Sequence, residues 1–289
     1  MKSSRNLFAA GIVGFATLVF SLSTKSSAED AALYPLSIAV SDATIMLADR
    51  ELPGVLKLQG GQLSVYFAGS KKFRTPLNAS RCVEFDSDGK LLAGDSATRE
   101  VYRFDDAGQP VPLTNGGIGI PMDIAVNKAG DLFVSDLEIQ RVMKVPKAGG
   151  KPEEVTEISG CRGLFVDKED HLWVVSTTND QLFRISPDGK SETIVAGQAF
   201  EFPHTVVVDD DLTAYVCDGY AKTIWKITRG GKPEAWVTGE PFVNPVGMAI
   251  KGDTIYVVDP KALVVVEIDR EGKLKTIPLK PAGPDKAAP

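Results

Sequence analysis

Pro121-Met122-Asp123-Ile124-Ala125-Val126, then Leu132-Phe133-Val134-Ser135-Asp136, then Arg141-Val142-Met143-Lys144-Val145: this stretch decides the reading of the chain. Its runs are short, apolar or alternating, and separated by turn residues, which is the signal of consecutive antiparallel strands. The middle run has counterparts at residues 45–49, 91–95, 172–176, 214–218 and 255–259. Their last residues, Asp49, Asp95, Asp136, Ser176, Asp218 and Asp259, are spaced 46, 41, 40, 42 and 41 apart. A period near 40 built from short β-type runs is the pattern of propeller blades, and six repeats fit.

Working outward, each repeat reads as four strands. The first covers residues 38–40, 83–85, 124–126, 164–166, 206–208 and 248–250, with a proline three residues ahead in four repeats: Pro35, Pro121, Pro203 and Pro245. Proline donates no backbone hydrogen bond, so it suits the residue just outside a strand. The second is the Asp-terminated run. The third carries a polar side chain before its last apolar residue: Lys57, Arg103, Lys144, Arg184, Lys226 and Glu267. The fourth, at 63–67, 111–114, 155–158, 193–196, 235–238 and 274–279, is the least apolar, as a half-exposed edge strand would be. The expectation is an all-β, six-bladed β-propeller with four antiparallel strands per blade. The blades fall near 33–70, 75–115, 118–158, 159–197, 200–239 and 242–280, within a propeller spanning 29–280. Repeats that start with a first strand and end with a fourth need no strand exchange to close the ring.

Residues 1–28 read as a secretory signal peptide. Lys2 and Arg5 precede an uncharged run at 7–22, and Ser26-Ser27-Ala28 offers small residues at a cleavage site. The alternative, an uncleaved anchor, would have a run shorter than the roughly 20 residues of a span. The expected location is therefore outside the cytosol, periplasmic or secreted, with no stable membrane insertion. Residues 281–289 read as a disordered tail. Cleavage removes Lys2, Arg5 and Lys25 and takes the formal charge from −6 to −9. An acidic chain without a basic block is not built to neutralise phosphates, which argues against nucleic acid. Cys82, Cys161 and Cys217 are an odd set, so at least one thiol is free, and buried thiols filling core space are expected.

These residues resemble a family. The pattern Pro121-Met-Asp-Ile-Ala-Val, then Gly130-Asp-Leu-Phe-Val-Ser-Asp136, then Arg141-Val-Met-Lys-Val is similar to the NHL repeat, and Pro245-Val-Gly-Met-Ala-Ile with Ile255-Tyr-Val-Val-Asp259 repeats it. The resemblance covers residues 35–279 and implies the six-bladed fold. The wider superfamily includes gluconolactonase-type hydrolases, strictosidine-synthase-like proteins, an amidating lyase and pure binding domains.

Lactonase-type relatives hold a divalent ion such as calcium at the channel end, with ligands just before the first strand. The matching positions here are Leu36, Arg81, Met122, Arg162, His204 and Val246. None is acidic, while such ions need carboxylate and carbonyl oxygens, so no metal or other cofactor is expected. The nearest carboxylates are Asp123 and Glu84. A zinc lyase would need several histidines, but His171 and His204 are the only two and are expected on opposite faces. What the positions do offer is Arg81, Arg162 and His204 at one mouth of the channel, a set suited to a carboxylate, phosphate or sulfate. The bland alternative is that the arginines pair with Asp123, Glu84 or loop acids and plug the channel.

Two functional readings follow. The first is an exported binding module for a small anion, glycan or protein. The second is a lactonase-like hydrolase or related lyase using His204, Asp123, Glu84 and Asp218. Against Asp218 stands its repetition: an aspartate closing the second strand of five blades is expected to accept turn N–H groups. Ser176, the exception, implies a different loop in blade four. Phe133, Trp173, Tyr215, Trp225 and Tyr256 are expected in the core, and Trp236 is expected to be exposed as part of a partner patch.

Overall fold

The computed structural model of the protein describes residues 33–42 and 44–280. The signal-peptide and tail readings lie outside the described residues. Twenty-four strands form six four-stranded antiparallel sheets, each made of four consecutive strands. Blade one is β1 (Pro35–Ser41), β2 (Thr44–Asp49), β3 (Gly54–Gln59) and β4 (Gln62–Ala68). Blade two is β5 (Ser80–Phe85), β6 (Leu91–Asp95), β7 (Glu100–Phe104) and β8 (Pro110–Pro112). Blade three, the stretch quoted at the outset, is β9 (Pro121–Val126), β10 (Leu132–Asp136), β11 (Arg141–Val145) and β12 (Glu153–Glu157). Blade four is β13 (Cys161–Val166), β14 (Leu172–Ser176), β15 (Leu182–Ile185) and β16 (Ser191–Val195). Blade five is β17 (Pro203–Val208), β18 (Ala214–Asp218), β19 (Thr223–Ile227) and β20 (Glu234–Thr238). Blade six is β21 (Gly247–Lys251), β22 (Thr254–Asp259), β23 (Val264–Ile268) and β24 (Leu274–Pro278).

The core is not one mass but six slabs, one between each pair of adjacent blades. Successive side chains along a strand point to opposite faces, and in strands such as β6, β14 and β18 both faces are buried, each against a different neighbouring blade. Ala39, Met46 and Val55 meet Val83, Ala93 and Phe104 between blades one and two. Leu47, Leu56 and Leu58 of blade one meet Val258 and Val265 of blade six, which closes the ring by packing alone. Burying each such side chain contributes about 1.5–3 kcal/mol. Cys82, Cys161 and Cys217 are buried free thiols within these slabs, and burial pushes Cys161 and Cys217 up to about 12.

The aspartates closing the second strands hold the loops of one face. Asp49 accepts N–H bonds from Tyr34, Glu51 and Leu52, and Asp136 from Gly119, Ile120 and Glu138. Asp259 does the same for Val243, Asn244, Lys261 and Ala262. Each carboxylate thus ties the incoming loop to the outgoing turn of its own blade. Blade four departs because only residues 158–160 separate β12 from β13. That connection closes on itself, with Cys161 N–H donating to the Ile158 carbonyl, and leaves the Ser159 carbonyl facing residue 176. Ser176 Oγ donates to it at 2.8 Å, which a carboxylate cannot do.

Two expectations are corrected. The outer strand of blade two ends at Pro112 because Thr114 N–H leaves the sheet for the Glu100 carboxylate at 2.5 Å. Trp236 is half-buried rather than exposed, its ring 4.8 Å from that of Tyr215, so it belongs to packing between blades five and six.

Candidate functional site

The positions ahead of the inner strands become a site through a repeated backbone irregularity. In blades one to five the ladder between first and second strands slips at Leu36, Arg81, Met122, Arg162-Gly163 and His204-Thr205 respectively. A bulge of this kind leaves its extra residue out of the pairing and re-aims the side chain. All five bulged side chains, with Val246 of blade six, line one cavity of about 300 Å³ at the channel mouth. Gly163 allows the close approach this needs: a Cβ there would stand 2.5 Å from Thr205 Cα.

Positive charge dominates the cavity. Arg50, Arg81, Arg162 and Lys261 line it against one acid, Asp123. Of the four cations only Arg50 has a carboxylate partner among the described residues, Glu51 at 2.8 Å. Arg81 Nε donates to Ser96 Oγ at 3.1 Å. Arg162 Nε is fully enclosed without a hydrogen-bond partner. Burial and the neighbouring Arg81 both press the Arg162 guanidinium below its ordinary pKa. Among the described residues neither Arg81 nor Arg162 pairs with Asp123, Glu84 or a loop acid, so the plug arrangement is not formed.

Aromatic rings hold the cations in place. The Arg162 guanidinium lies 4.6 Å from the centre of the Phe202 ring, and Arg50 lies 4.3 Å from that of Tyr34. Phe202 in turn stacks on Tyr220 at 4.8 Å and takes the His204 ring edge-on at 5.0 Å. Burial, reinforced by Arg162, pushes His204 down to about 3 against the pull of Asp218, so its imidazole is neutral.

The other candidates are dispersed. Asp123 lines both the mouth and a second cavity of about 190 Å³ deeper in the channel, and so stands at the waist between them. Its oxygens accept N–H bonds from Ile124 at 3.0 Å and Leu164 at 2.9 Å, yet burial outweighs them and raises it to about 7. Glu84 faces only the deeper cavity, among apolar walls. Burial, aided by the Asp123 charge and opposed by the Phe85 N–H, takes it to about 8. Asp218 lines neither cavity: it is wholly buried and its oxygens accept N–H bonds from Glu201, Phe202 and Ala221. It is therefore corrected from catalytic candidate to loop anchor. His171 sits in the turn between β13 and β14, 3.5 Å from Asp167, away from both cavities.

Several lining residues carried no signal in the sequence. Phe202, Tyr220, Tyr34, Arg50 and Lys261 stand on loops, where no periodicity exists to read. The one hint was position: each lies within two or three residues of a strand end on the mouth face.

No protein-family model and no curated protein matches the sequence. Solved structures do match. A streptogramin B lyase aligns with TM-score 0.68 and 17% identity over 88% of this chain and 85% of its own. A gluconolactonase from Xanthomonas campestris aligns with TM-score 0.67 and 17% identity over 80% and 85%. A chain of the nidogen/laminin complex aligns with TM-score 0.66 and 16% identity over 85% and 92%. The class is thus a six-bladed β-propeller. Within that class the neighbours include a lyase, a lactonase and a protein-binding assembly, so the likeness is one of fold.

The calcium that the sequence resemblance implied does not suit this mouth. Three guanidinium groups, one ammonium, two methionines and a single carboxyl do not make the oxygen-rich shell that ion requires. Among the described residues, no group of three or more His, Cys, Asp or Glu is placed to hold a metal.

Proposed function

We propose that this protein is an exported binding module whose channel mouth holds a small organic anion. The observation that carries the reading is Arg162: a half-buried guanidinium stacked on Phe202, its Nε enclosed without a hydrogen-bond acceptor and no carboxylate paired with it among the described residues. A buried cation without a counter-charge is costly, and a bound anion supplies the missing partner. Arg81 beside it makes the pocket suited to a two-armed grip on a carboxylate, phosphate or sulfate.

A thermal melt of the purified protein against phosphate, sulfate, acetate and sugar acids tests this. Anion-dependent stabilisation that disappears in Arg162→Ala is the expected result, because a ligand bound only by the folded state raises its melting temperature. Equal shifts in the two proteins would overturn it.

A second reading, a lactonase-like hydrolase or lyase, has its own observation. Asp123, its pKa raised to about 7, shares the cavity with a neutral His204 and three arginines, the kind of perturbed set that catalytic sites use. Turnover of lactones that fails in Asp123→Asn would favour it. The likeness to a chain of the nidogen/laminin complex supports a protein as a further class of partner.

A further inference from the structure

Resting on the anion reading, we propose that the ligand is an aromatic anion, its charged head on Arg162 and Arg81 and its ring on Tyr220. Tyr220 is 64% exposed, and of the exposed large apolar side chains among the described residues it alone lines the mouth cavity. It is nonetheless not a loose surface side chain. Its plane is fixed within 20° of Phe202 by the stack at 4.8 Å, and Phe202 is fixed by Arg162 and His204. The result is one continuous assembly that runs from an uncompensated cation to an aromatic ring at the rim of the same cavity.

A ring held this rigidly recognises by offset stacking with little ordering to complete. The remaining walls agree with the assignment. Leu36, Met122, Val246 and Met248 give the cavity apolar sides, and methionine sulfur contacts aromatic edges favourably. At about 300 Å³ the cavity is at the small end of ligand pockets, enough for a head group and one ring. A neutral His204 adds no competing charge near the ring. Benzoate and phenyl phosphate share the required chemistry and differ only in the head.

Calorimetric titration with acetate, cyclohexanecarboxylate, benzoate, phosphate and phenyl phosphate separates this proposal from the one beneath it. Benzoate should bind roughly five- to tenfold more tightly than cyclohexanecarboxylate, a saturated ring of similar size, because stacking geometry adds to area burial. The same preference should appear for phenyl phosphate over phosphate. Tyr220→Ala should reduce the benzoate-to-cyclohexanecarboxylate ratio to about one, and Tyr220→Phe should keep it. Binding of acetate or phosphate without any ring preference overturns the aromatic assignment and leaves the anion site standing. A ring preference that survives Tyr220→Ala overturns the placement on Tyr220. No binding of any anion removes both.

Discussion

Arg162 and Phe202 meet across the boundary between blades four and five, the guanidinium 4.6 Å from the ring centre, and among the described residues no carboxylate pairs with that charge. One residue comes from a bulge in β13 and the other from the loop leading into β17. The contact holds the arginine still without neutralising it.

Replacing that arginine should therefore separate stability from binding. Arg162→Leu keeps the stem's packing and removes an enclosed, uncompensated charge, so the ligand-free protein should gain about 1 kcal/mol. A gain of that size appears as a rise in Tm of about 2–4 °C. The same variant should lose anion binding. Parallel melts with and without phosphate check both halves.

Stability should respond to pH from both sides. Asp123 and Glu84 keep their protons up to about 7 and about 8 in the folded protein, whereas the unfolded chain releases them near 4. The folded state then binds more protons than the unfolded one, so stability falls as pH rises from about 4 through 8. His204 works in the other direction: the unfolded chain takes up a proton near 6.5 that the folded protein refuses down to about 3. Stability is lost on that account as pH falls below about 6.5. Glu84→Gln should raise Tm more at pH 8.5 than at pH 5, and His204→Asn should flatten the acidic limb, both read by scanning calorimetry.

Anion affinity should carry the signature of Asp123. Above about 7 this carboxyl becomes negative at the waist of the cavity, and a like charge opposes the ligand. Affinity for acetate should drop severalfold between pH 6 and pH 8.5, and the drop should vanish in Asp123→Asn. A drop that persists unchanged in the variant would assign the effect elsewhere.

Restoring the repeat consensus in blade four should harm the protein. Ser176→Asp places a carboxylate against the Ser159 carbonyl, where the hydroxyl now donates. The expected loss is about 2 kcal/mol, from a broken hydrogen bond and a buried charge facing an acceptor. Urea melts of the two proteins measure it directly.

The blades were legible because a physical requirement recurs in each of them. A carboxylate that ties two loops by N–H bonds leaves its Asp at the same point of every repeat but one, and the exception marks a connection too short to need it. The mouth was legible in part, since Arg81, Arg162 and His204 occupy equivalent positions before their strands. Which of their neighbours faced the mouth was not. Asp123 stands one residue past the bulge at Met122 and reaches the mouth, whereas Glu84 stands three past the bulge at Arg81 and faces only the deeper cavity. Phe202 and Tyr220 meet only because one loop and one turn of blade five fold over the same spot, a contact with no period to betray it.

The most direct test is calorimetric titration of phosphate and acetate into the purified protein and its Arg162→Leu variant at pH 6 and low ionic strength. The proposed anion site predicts saturable binding to the parent protein, weakening as salt is added, and at least a tenfold loss in the variant. Equal affinity in the two proteins, or no binding to either, would contradict an anion site built on Arg162.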